Sequence, residues 1–121
     1  MVKILITGGA GNVGGALARK LVENPNYFVV IVDNLSTGSK SKLPSNETTN
    51  WRFVNCDVNN YISISEIMLT NHFDYVFHYA AVVGVKRTQD NPIMVLNDIE
   101  GIKNVLQITK SSSVKRVFFS S

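Results

Sequence analysis

Cysteine is almost absent from this chain: the 121 residues hold one, Cys56, so an internal disulfide is excluded, and no metal-ligand cluster is visible. Cys56 sits in an apolar run and reads as a buried core thiol. Long hydrophobic runs are missing as well. The run around Ile4 is too short for a signal-peptide core, and none approaches the ~20 apolar residues of a membrane span. A cytoplasmic location and no membrane partner are the expectation. Charge of one sign is also scarce, with 12 Lys and Arg against 9 Asp and Glu and a net charge of +3. The nearest things to basic clusters, Lys86-Arg87 and Lys115-Arg116, are dipeptides that read as solvated rims, so nucleic acid is not an expected partner. Asn46-Glu47-Thr48 fits a glycosylation sequon but, without a secretion signal, reads as chance. With 45% apolar and 17% charged residues, the chain has the composition of one ordinary globular core.

What is present is organised around Val2 to Gly15. Val2, Ile4 and Ile6, with Leu5 between them, predict a short buried strand. The spacing of Val13, Leu17 and Leu21 predicts one apolar face of a helix. Between them Gly8, Gly11 and Gly14 form G-x-x-G-x-x-G. Glycine there permits a tight turn, lets backbone approach a diphosphate and lets the helix pack closely on its strand. The positive end and free N–H groups of the helix favour an anion. After a second strand, Phe28 to Val32, comes Asp33, nineteen residues beyond Gly14. A Rossmann unit places there the carboxylate that bonds the adenosine ribose, so the pattern points to dinucleotide binding.

Further along, Pro25 predicts that the first helix stops near Asn24. Residues 34–50 carry no apolar periodicity and read as loop, with at most one short helical turn around Lys40 to Leu43. Trp51 to Cys56 predicts a third strand. Ser63-Ile64-Ser65-Glu66 has capping-box spacing and predicts a short helix to about Thr70. Phe73 to His78 predicts a fourth strand, with Ala80 to Gly84 as its small-residue exit. Asn91-Pro92 marks a helix start, and Val95, Ile99, Ile102 and Leu106 supply an apolar face to about Lys110. Arg116 to Ser120 predicts a fifth strand. Strands alternating with helices imply an α/β fold, a Rossmann-type doubly wound parallel sheet in the order 3-2-1-4-5 with helices on both faces. Gly8 to Gly14, Asp33, Asp57 and Tyr79 to Ala81 then converge on one crevice at the carboxyl ends of the strands.

Those residues carry a resemblance across the whole chain. Thr7-Gly8-Gly9-Ala10-Gly11-Asn12-Val13-Gly14 is similar to the T-G-x-x-G-x-x-G of the extended short-chain dehydrogenase/reductase family, and within it of the NAD-dependent nucleotide-sugar epimerases and dehydratases. Asp33-Asn34-Leu35-Ser36-Thr37-Gly38 resembles the ribose-binding segment of UDP-glucose 4-epimerases. The resemblance implies NAD as cofactor, with Gly8, Gly11, Asn12, Val13 and Gly14 along the pyrophosphate. Asp33, Asn34, Ser36, Thr37 and Gly38 would serve the adenosine ribose, and Asp57 and Val58 the adenine. His78-Tyr79-Ala80-Ala81 matches the family's H-x-A-A, which implies that Tyr79, Ala80 and Ala81 line the nicotinamide side, with Ser120 bordering that pocket. His78 also invites a reading as a catalytic base, but the resemblance implies a structural role.

The family's catalytic hydroxyl and its Tyr-x-x-x-Lys would follow Ser121, so no catalytic residue is assigned within the chain. Residues 1–121 are expected to be the NAD-binding N-terminal part of a longer enzyme, inactive alone, with the substrate domain beyond them. Val83 stands where some 4-epimerases carry Lys. Asp98, with Asn97 before it, stands where the family commonly has Asn. These departures widen the expected reaction to other epimerases, dehydratases and decarboxylases. The implied function is transient hydride transfer between a nucleotide sugar and bound NAD. A non-catalytic NAD-binding or sensing module, a UDP-glucuronate decarboxylase and a plain dehydrogenase are the alternatives.

Overall fold

Alternation places Ile4 and Ile6 on one face of the first strand and Leu5 on the other, and all three are buried. A strand buried on both faces belongs in the middle of a parallel sheet. That is its place in the computed structural model, which describes residues 1–35, 39–79 and 92–119, with the side chains of 92–100 and 119 left aside. Five strands, β1 (Val2–Thr7), β2 (Tyr27–Asp33), β3 (Trp51–Asn55), β4 (Tyr75–His78) and β5 (Arg116–Phe119), form one sheet in the order β3-β2-β1-β4-β5. Every pairing is parallel. The expected strand order is therefore the observed one, and its reversal falls between β1 and β4.

Helix α1 (Asn12–Leu21) lies on one face, over a cluster that includes Ile4, Ile6, Ala18, Val29 and Ile31. Helices α2 (Tyr61–Asn71) and α3 (Pro92–Thr109) lie on the other, around Leu5, Val30, Val32, Ile64, Met68, Phe73 and Val105. Among the described residues of the long loop a single 3-10 turn forms, at Lys40–Lys42, where the sequence predicts a short helical turn.

Several local expectations need correction. Helix α1 ends at Leu21 rather than near Asn24, because Glu23 and Asn24 donate to Lys20 O and Leu21 O in tight turns before the proline is reached. Its buried face is Gly14, Gly15 and Ala18. Val13, at 63% exposure, lies outside that face, because it stands one residue, about 100° of helical rotation, before Gly14. The capping box at Ser63 is not used. Asn60 is the N-cap, its side chain accepting the Ser63 N–H at 3.2 Å, so α2 starts almost a full turn earlier and Ser63 falls inside it. His72, with φ 54°, closes α2 in the left-handed conformation. Phe73 is fully buried but precedes β4.

Among the positions of α3 described at side-chain level, the buried ones are Gly101, Asn104, Val105 and Ile108, whereas Leu106 is 43% exposed. Counting only apolar residues misses a helix face built partly from Gly and Asn. Val95 and Ile99, like Val83, Asn91, Asn97 and Asp98, fall outside what the structure describes at side-chain level.

Candidate functional site at the carboxyl ends of the sheet

Since all strands run the same way, the segments leaving β1, β2, β3 and β4 open on the same edge of the sheet. The β1–α1 turn is bound to β2 by Gly8 N–H and Gly9 N–H, which both donate to Val32 O, at 2.7 and 3.4 Å. Gly8 has φ 72°, a conformation that excludes most side chains. The helix then starts against this turn: a Cβ on Gly14 would collide with the Gly8 carbonyl oxygen and lie 3.0 Å from Gly8 C and Gly9 Cα. Gly11 is the N-cap and bonds its own N–H to Gly8 O at 3.1 Å. No side chain caps α1 and no acidic residue stands in its first turn. The N–H groups at Asn12 and Val13 therefore begin the helix in a local field that suits an anion.

Asp33 closes β2 at 8% exposure. Its Oδ2 accepts the Ala10 N–H at 3.0 Å and its Oδ1 accepts the Leu35 N–H at 2.7 Å. Leu35 supplies that donor from a left-handed backbone, φ 63°. One carboxylate thus joins the glycine turn to the segment after β2. A carboxylate has about four acceptor positions, so it retains capacity for a diol. Ser39 N–H, donating to Ala10 O at 2.8 Å, ties the far side of that segment to the same turn.

After β3, Asp57 is exposed and Val58 is 4% exposed. Asp57 Oδ1 accepts the Asn59 N–H at 2.9 Å, an Asx-turn that bends the chain into α2. After β4, Tyr79 N–H donates to Thr7 O at 2.9 Å and to Thr7 Oγ1 at 3.1 Å. His78 is 2% exposed, with Nδ1 2.7 Å from Thr7 Oγ1. Burial pushes its pKa from 6.5 down to about 4. A neutral, enclosed imidazole packed against β1 is a structural group.

The structure thus sets the turn that carries Gly8, Gly11, Asn12, Val13 and Gly14 beside Asp33, the two joined by the Ala10 N–H bond to the carboxylate. It places Asn34, Asp57, Val58 and Tyr79 on the same edge. Ser36, Thr37, Gly38, Ala80, Ala81 and Ser120 lie outside the described residues. The sequence reading passed over Thr7, Ala10 and Leu35. Ala10 and Leu35 act through main-chain N–H groups, which no side-chain pattern encodes. Cys56 is buried and free, and burial first, then the Asp57 charge, pushes its thiol pKa up, away from thiolate chemistry. No group of His, Cys, Asp or Glu able to hold a metal occurs among the described residues.

A turn with no room for a Cβ at Gly9 or Gly14, an uncapped helix start and a fixed carboxylate one strand away fit a dinucleotide. The comparisons agree. A model of the NAD dependent epimerase/dehydratase family matches residues 4–121. The chain is 38% identical to a UDP-N-acetyl-alpha-D-glucosaminuronate decarboxylase of Bacillus cytotoxicus, over 98% of this chain and 36% of that protein. Among solved structures it is similar to a UDP-glucose 4-epimerase of Thermotoga maritima with UDP-glucose, at TM-score 0.89 and 32% identity, over 99% of this chain and 38% of that one. It is also similar to a UDP-glucose 4-epimerase of Stenotrophomonas maltophila with bound NAD and formylated UDP-arabinopyranose, at TM-score 0.86 and 29% identity, over 100% of this chain and 37% of that one. The chain spans little more than a third of the length of these relatives. With the family match running from the first strand to the last residue, the chain belongs to the NAD-dependent epimerase/dehydratase family.

Proposed function

We propose that this chain is the N-terminal, NAD-binding part of a nucleotide-sugar epimerase or dehydratase. The observation that carries the reading is the Asp33 carboxylate, held between the Ala10 and Leu35 N–H groups beside the uncapped start of α1. In this reading Gly8, Gly11, Asn12, Val13 and Gly14 hold the pyrophosphate, and Asp33, Asn34 and Ser36 to Gly38 the adenosine ribose. Asp57 accepts from the adenine amino group, while Val58, with its side chain buried, offers the base only main chain. Tyr79, Ala80, Ala81 and Ser120 border the nicotinamide side. NAD, when bound, supplies a hydride acceptor that can return the hydride to the sugar. The described residues bind and orient it. The decarboxylase at 38% identity favours a second reaction within the same reading, decarboxylation of a UDP-sugar acid. We also propose self-association through the β5 edge as the partner behaviour of the isolated chain.

Cofactor choice tests this reading. Both Asp33 oxygens are fixed by main-chain donors, so the carboxylate cannot swing away from a 2′-phosphate and repels it at short range. Calorimetric titration is expected to give NAD binding at least about tenfold tighter than NADP, a difference of about 1.4 kcal/mol. Asp33→Ala should shrink that ratio. Tighter binding of NADP, or a ratio untouched by the substitution, would overturn the assignment.

A further inference from the structure

Helix α3 carries one buried polar side chain among the side chains described for it, Asn104, at 4% exposure. A buried amide in an apolar face costs stability unless its groups are bonded, and this one is bonded away from its own helix. Its Nδ2 donates to Val58 O at 3.0 Å and to Asn59 O at 3.2 Å. One helical turn earlier, Gly101 makes the same loop its neighbour. A Cβ at 101 would stand 2.8 Å from Asn59 Oδ1 and 2.8 Å from Val58 Cγ2. The amide oxygen of Asn59 is itself buried without a hydrogen-bond partner among the described residues, so it faces Gly101 by packing rather than by a bond that could be traded for another. Glycine lets the loop descend onto α3, and Asn104 holds its two carbonyls there. With both carbonyls drawn toward the helix, the Asp57–Asn59 backbone is held from below, while the Asp57 side chain stays exposed on the edge of the sheet.

We propose that Asn104 and Gly101 are positioning residues for the base of the cofactor: they hold the β3–α2 loop at the height from which Asp57 and the Val58 main chain read adenine. This rests on the placement of adenine at that loop given above, and neither residue touches the base.

The test uses the 121-residue chain with NAD and its hypoxanthine analogue, in which the amino group that Asp57 would accept from is replaced by a carbonyl. Two variants are used. Asn104→Asp keeps the shape but removes the donor, and Gly101→Ala presses on Val58 and Asn59 while raising helix propensity. The wild-type chain should bind NAD about tenfold tighter than the analogue, as expected for one well-made polar contact. Each folded variant should bring that ratio within about twofold and speed amide exchange at Val58, Asn59 and Asn60 without cofactor, since the loop opens locally. A merely structural defect weakens both dinucleotides equally and leaves the ratio in place, and that result overturns the proposal. If Asn104→Asp does not fold, Gly101→Ala decides by the same two readouts. A wild-type chain that binds both dinucleotides equally overturns the adenine placement and the proposal with it. Faster exchange in the variants would then show that the clamp exists but serves no base.

Discussion

At the scale of single residues, the site is held by groups whose partners are main chain. Asp33 is bound by two N–H groups and Asn104 by two carbonyls. His78 shows what burial does to a titratable side chain beside such a site. In the unfolded chain its imidazole takes a proton near pH 6.5, whereas in the folded chain burial delays protonation to about 4. Between those values the unfolded state binds more protons, so stability rises with pH. The contribution is whole above 6.5 and is lost as pH falls toward 4, on the order of 3 kcal/mol across the full window. Urea unfolding of the wild-type chain and of His78→Leu at a series of pH values isolates it, because the carboxylates are common to both. The wild-type curve should fall more steeply below 6.5, and parallel curves would remove His78 as the cause.

Among the elements, the β1–α1 turn shows how much the sequence reveals and where it stops. Three glycines at fixed spacing were readable as a turn and a close approach, and the structure supplies the contacts: φ 72° at Gly8, and Gly14 against the Gly8 carbonyl. Gly9 escaped that pattern, although a Cβ there would collide with the Ile31 side chain, because its reason lies on β2 and not in its own segment. The same holds for α3, whose buried Gly101 and Asn104 answer to a distant loop, and for α2, where Asn60 outcompeted the serine of a local motif. Strand identity was legible from the apolar runs, and strand order from the glycine fingerprint and Asp33, which mark the 3-2-1-4-5 winding among the right-handed ones. Contacts between remote segments were not. An element-level prediction follows from Gly14. Alanine at an exposed helix position would stabilise by up to about 1 kcal/mol through propensity. Here its Cβ meets backbone that cannot rotate aside, and overpacking of that kind costs roughly 1 to 3 kcal/mol. Gly14→Ala should therefore lower the thermal midpoint and weaken NAD together, whereas a stabilised variant with unchanged affinity would show that the turn yields.

At the scale of the molecule, the described residues cover the two faces of the sheet unequally. Helices α2 and α3 pack on the face of Leu5, Val76 and Val117, while on the face of Ile4 and Ile6 the helix α1 packs beside β1 and β2. Over β4 and β5 that second face presents Tyr75, Phe77 and Phe118, of which Phe118 is 38% exposed and stacked on Phe77 with ring centroids 4.8 Å apart. Among the described residues strand β5 pairs with β4 and ends the sheet order, so its outer N–H and C=O groups form an edge. An apolar edge without proline or an inward charge is a template for another strand. Lys115 and Arg116 sit only at its start, and Lys115 is drawn toward Asp74, 3.8 Å away. The isolated 121-residue chain is expected to self-associate with rising concentration. Phe118→Lys should oppose this twice, by removing a partly exposed ring and by placing a charge on the edge strand. Sedimentation velocity across a concentration series reads both effects. A monomer at every concentration, unchanged by the substitution, would mean that the edge is covered in solution.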